Sequence, residues 1–95
     1  MASLRRVVID VLTPHEPTML ELASEVADRD SVTAVDATLL ESDREVKNVK
    51  LTVEGDAIAF DVVEEAVEDL GGSVHSVDQV ACGDHVVEER TVPQE

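Results

Sequence analysis

The run Val7-Val8-Ile9-Asp10-Val11-Leu12 carries a carboxylate where its apolar pattern calls for a valine. A charge placed among aliphatic side chains needs a partner. Lys50 is one candidate, in an Asp10–Lys50 ion pair that could close an oligomer interface. Asp78 is the other, joining Asp10 and further oxygens in a hard-cation site, because Ca²⁺ and Mg²⁺ take several carboxylate or carbonyl ligands. His15-Glu16 is a second polar pair, held between Pro14 and Pro17. It reads either as loop and capping geometry or as a metal or anion contact where copies of the same loop converge. Asp10, His15, Glu16 and Asp78 are therefore the candidate metal ligands. His75 and Asp78 lie three apart, and in a regular strand they point to opposite faces and cannot share one ion.

Other chemistry is sparse. The chain has no Gly-rich phosphate loop, no CxxC, no HExxH and no nucleophile elbow. Asp43-Arg44-Glu45 lacks the oxygen ligands and central glycine of an EF-hand loop. Cys82, with no His or Lys near it in sequence, reads as a small residue at a strand end. His85 reads as solvated.

Of the 95 residues, 22 are acidic and 7 basic, for a formal net charge of −15, yet 43% are hydrophobic. An ordinary core under a strongly acidic surface is how a protein adapted to concentrated salt is written. At about 1 M salt the Debye length is ~3 Å, so neighbouring carboxylates are screened and keep the surface hydrated. Glu64, Glu65, Glu68 and Asp69 read as part of that solvated surface. Phe60 is the only aromatic residue, and Lys47 and Lys50 are the only lysines. Phosphate contacts need cations and base stacking needs aromatic faces, so nucleic acid is not an expected partner. The apolar runs fall far short of the ~20 residues of a spanning helix, and the N-terminus lacks a signal-peptide pattern. A single cysteine makes no internal disulfide. The expectation is a soluble cytoplasmic protein without a membrane partner.

The elements that must position these residues follow from hydrophobic periodicity. Leu4 to Leu12 is apolar on both faces, as a central strand is. Pro17 suits the first turn of a helix running to about Asp28, with Met19, Leu22, Ala23, Val26 and Ala27 on one face. Val32 to Leu40 and Val46 to Val53 alternate as strands around a turn at Glu41 to Arg44. Glu54-Gly55-Asp56 leads into a helix to Leu70, whose stripe is Ala59, Val62, Val63, Ala66, Val67 and Leu70. Gly71-Gly72 stops it, and Val74 to Cys82 is the last strand. The expected domain is residues 1–83, with an acidic tail at 84–95.

This order, β-α-β-β-α-β, predicts an α+β ferredoxin-like fold, a four-stranded antiparallel sheet with both helices on one face. The other face would carry Val8, Asp10, Leu12, Asn48, Lys50 and Thr52, with Ala34, Asp36 and Thr38 beside them. Such a face is too apolar to stand wholly in water, so a second copy is expected to cover part of it or of a sheet edge.

Three stretches, Arg5 to Pro17, Asn48 to Gly55 and Gly71 to Val80, together resemble the archaeal domain-of-unknown-function family 211 over residues 4 to 83. The resemblance implies a ferredoxin-like fold, a ring-like homo-oligomer and divalent-cation binding, Ca²⁺ or Mg²⁺, with no established activity. The acidic surface would make this a halophilic member. The function expected is a non-enzymatic binding or regulatory module. The alternatives are a small-metabolite sensor with its ligand at subunit interfaces, or an enzyme whose interfacial cleft brings a histidine to a carboxylate.

Overall fold

A computed structural model describes residues 2–87. Along them run β1 (Leu4–Pro14), α1 (Met19–Ala27), β2 (Ala34–Ser42), β3 (Val46–Glu54), α2 (Phe60–Asp69) and β4 (Ser73–Cys82). The four strands form one antiparallel sheet in the order β2-β3-β1-β4. This is the expected ferredoxin-like arrangement, with β1 and β3 in the middle. Of the tail expected at 84–95, residues 88–95 lie outside the described residues.

Alternation decides which face is buried. Val7, Ile9 and Val11 of β1 and Val49, Leu51 and Val53 of β3 are fully buried together with Leu22, Val26, Val63, Ala66 and Val67 of the helices. The intervening residues, Asp10, Asn48 and Lys50 among them, lie on the face opposite the helices. Thr13 and Lys47 pair across β1 and β3 and extend the buried phase into polar residues, both being buried.

The helix starts differ from expectation. Thr18 caps α1 and Glu21 completes a reciprocal capping box, so Pro17 precedes the cap instead of entering the first turn. The Glu16–Pro17 peptide is cis. The β2–β3 strands reach Ser42 and Val46, leaving a shorter turn than Glu41 to Arg44 would give. The Asp43 carboxylate accepts from the N–H groups of Glu45 and Val46, each at 2.9 Å, and this local ring closes the hairpin.

Strand β4 is not regular. Its pairing with β1 slips three times: one slip leaves Arg5 of β1 as an extra residue, and the other two leave His75 and Asp78 of β4 each as an extra residue between paired positions. The phase that faces the helices therefore recurs every third residue, at Val74, Val77 and Val80, which oppose Val11, Ile9 and Val7. Val74 packs on the core, but Val77 is 50% and Val80 60% exposed. The helices leave the outer flank of β4 uncovered.

Candidate functional site

Asp10 sits half-buried on the open sheet face, opposite Lys50 on β3 and Ser76 on β4. Lys50 does not pair with it. The ion pairs among the described residues are Arg5–Asp56 and Arg6–Glu54, and the Asp10–Lys50 bridge is corrected to a hydrogen bond from Asn48, whose Nδ2 donates to Asp10 Oδ1 at 3.0 Å. Asn48 is half-buried, whereas Lys50 is exposed. A long side chain at the surface loses more rotamer freedom in such a pair than the screened attraction returns.

The β4 bulges bear on Asp78 and His75. Regular alternation would set them on opposite faces, but both are the extra residues of the bulges, so that rule does not govern them. The Ser76 hydroxyl donates to Asp78 Oδ1 at 2.8 Å, and Ser76 is the cross-strand partner of Asp10. Asp10 and Asp78 thus belong to one patch of the open face, with Asp78 exposed.

His15 and Glu16 lie elsewhere. They are exposed in the turn between β1 and α1. His15 follows the end of β1, and the four strand steps from Asp10 to Pro14 already span about 13 Å at ~3.3 Å per residue, while an oxygen ligand must come within ~2.6 Å of Ca²⁺. One chain therefore divides the four candidate ligands into two groups. Among the described residues, no three of His, Cys, Asp and Glu are grouped to hold a metal ion. A single copy does not fit a complete Ca²⁺ or Mg²⁺ site, which takes six or so oxygens.

The turn is instead built as a latch. The His15 Nε2–H donates to the Asp43 carbonyl at 2.6 Å, tying the turn to the hairpin. Lys47 Nζ donates to the carbonyls of His15 at 3.1 Å and Pro17 at 3.3 Å. Asp43 is held below the usual 3.8, first by the backbone N–H of Val46, then by that of Glu45, with nearby His15 adding to the effect. Lys47 and Asp43 were not among the candidates. The signal for Lys47 was present, since it shares the odd-numbered phase of Val49, Leu51 and Val53. Thr13, also in the buried phase, keeps a hydroxyl oxygen without a partner among the described residues.

The remaining described groups are separate from both patches. Cys82 is a free, exposed thiol. No helix among the described residues is long and apolar enough to cross a membrane.

Two helices on one face of a β2-β3-β1-β4 antiparallel sheet define a ferredoxin-like α+β protein. The chain belongs to the domain-of-unknown-function family DUF211, described as uncharacterized ArCR, whose model matches residues 5–95. The match continues past Gly83, the end of the span over which the three stretches carry the resemblance. A protein of the archaeon Methanocaldococcus jannaschii, itself described as uncharacterized, is 40% identical over 95 residues, covering 100% of this chain and 98% of that one.

Proposed function

We propose that this protein is a non-enzymatic binding or regulatory module that works as a ring-like homo-oligomer, its copies joined edge to edge through the sheet. The observation that carries this reading is the apolar surface on both edge strands. Leu39 and Leu40 on β2 are 49% and 50% exposed, and Val77 and Val80 on β4, at the opposite edge, are 50% and 60% exposed. Edge strands that stay single normally carry charge or proline at such positions. Among the described residues β2 and β4 stand at the two ends of the sheet, and alternation through the sheet makes them antiparallel to each other. A second copy placed beside the first can therefore continue the antiparallel sheet, and a contact between two different edges closes into a ring when the rotation allows.

Full burial of a valine or leucine is worth about 1.5–3 kcal/mol, so four half-exposed side chains offer roughly 4 kcal/mol of apolar burial per contact before strand hydrogen bonds. A divalent cation, Ca²⁺ or Mg²⁺, belongs to this reading only at the contacts between copies, where a neighbour would supply the oxygens that Asp10 and Asp78, or His15 and Glu16, lack. The cytoplasm of a halophile is the proposed setting, in keeping with the excess of 22 acidic over 7 basic residues and an exposed free thiol. The non-enzymatic reading is supported by His15, whose Nε2 is committed to a backbone carbonyl. The double variant V77K/V80K tests the assembly. It should keep the circular dichroism of the parent but fall to the monomer mass in light scattering, and an unchanged assembly would refute edge pairing at β4.

A further inference from the structure

Arg29 is a cation without an ion-pair partner among the described residues, in a chain of net charge −15. It follows the C-cap of α1 and is flanked by Asp28 and Asp30, yet its guanidinium makes no ion pair or side-chain hydrogen bond among the described residues, and its Nε is buried without a partner. A buried N–H left unsatisfied is destabilising, because it loses its bond to water and gains none in exchange. It borders an open cavity of about 390 Å³ lined by Asp28, Arg29, Asp30, Ser31, Ala59 and Val62.

The lining divides by chemistry. Arg29 offers a planar fork for a carboxylate. Ser31 Oγ accepts the Ala59 N–H at 3.1 Å, which leaves its own O–H free to donate to the same carboxylate. Asp28 and Asp30 are exposed acceptors on the rim, and Ala59 and Val62 form an apolar wall. A phosphate or other plain anion would gain the fork but meet two carboxylates. A plain amine would gain the carboxylates but meet the guanidinium.

We infer that this cavity binds a small zwitterion of the α-amino acid class, its carboxylate on Arg29 and Ser31, its ammonium on Asp28 and Asp30, and a short aliphatic side chain against Val62. All six lining residues belong to one chain, so the inference goes beyond the assembly and does not depend on it. The Ser31 loop is held in place by Gly55, where any β-carbon would overlap the Ser31 carbonyl oxygen.

The test is an amide NMR titration of the intact protein with L-valine, isovalerate and L-valinamide as probes, which carry both charges, the carboxylate alone and the ammonium alone. L-Valine should shift the amides of Arg29, Ser31, Ala59 and Val62, with affinity at least about tenfold above either half-molecule, the equivalent of losing one charged contact. R29Q should abolish these shifts, and D30N should weaken binding of L-valine and L-valinamide while leaving isovalerate unchanged or stronger. Asp30 is exposed and Arg29 half-buried in a turn outside the apolar core, and each variant's own spectrum checks that it folds. Equal binding of isovalerate, or of inorganic phosphate, would overturn the zwitterion in favour of a plain anion site, and absence of shifts at these four residues with L-valine would overturn the site itself.

Discussion

Replacing Lys47 by methionine isolates the latch under the β1–α1 turn. Methionine keeps the apolar stem of a side chain that is only 8% exposed, and it removes the ammonium that holds the carbonyls of His15 and Pro17 at 3.1 and 3.3 Å. Both bonds are long, so each is worth about 1.5 kcal/mol, the lower end for a charged donor, or about 3 kcal/mol together. Relief from desolvating the ammonium returns about 1 kcal/mol, since the turn lies at the molecular edge. The net loss is about 2 kcal/mol, which for a domain of this size lowers Tm by roughly 8–16 °C. K50M is the control, because Lys50 is exposed and without an ion-pair partner among the described residues, and it should stay within about 0.5 kcal/mol of the parent. Thermal unfolding of the three proteins by circular dichroism in concentrated KCl decides. Equal melting of K47M and K50M, or a K47M more stable than the parent, would refute the latch.

Three further outcomes follow from single contacts. G55A forces the Ser31 carbonyl to move, because backbone stands where the new methyl must go, and a loss of about 1–3 kcal/mol should be read in denaturant unfolding. The Asp43 carboxyl is lowered in the folded state, so its stabilising contribution is complete above the ordinary 3.8 and is lost as pH falls through the lowered folded value. The Tm gap between parent and D43N should therefore be constant near neutrality and shrink in acid below 3.8, and a constant gap there would contradict the assignment. D10N removes a carboxylate and leaves Asn48 a carbonyl oxygen to bond, so it should fold while losing any calorimetric heat of Ca²⁺ binding, and retained heat would take Asp10 out of the cation reading.

The period of the apolar residues was enough to place all six elements and their order, because each strand of the central pair has one fully buried face. The details that failed are those where alternation carries no information. In β4 the valines recur by threes, at Val74, Val77 and Val80, and that spacing marks the bulges which a two-residue period hides. Thr18 and Glu21 spell a capping box, a signal overlooked in favour of Pro17. Partner choice at Asp10 was harder, since Lys50 is its direct cross-strand neighbour and opposite charge makes the obvious pair. The bond goes diagonally to Asn48, which is short, half-buried and loses little freedom in making it. Arg29 gave no periodic signal at all, because it stands in a turn and is distinguished by the partners it lacks among the described residues.

Light scattering of the unaltered protein in multimolar KCl, before and after a divalent-cation chelator, tests the central claim most directly. Edge pairing through β2 and β4 predicts one discrete multiple of the 10.3 kDa chain, and a cation at the contacts predicts that chelation lowers this mass. A mass that ignores the chelator would place the whole contact in strand pairing and apolar burial, without a bridging ion. A monodisperse monomer at micromolar concentration would contradict the account.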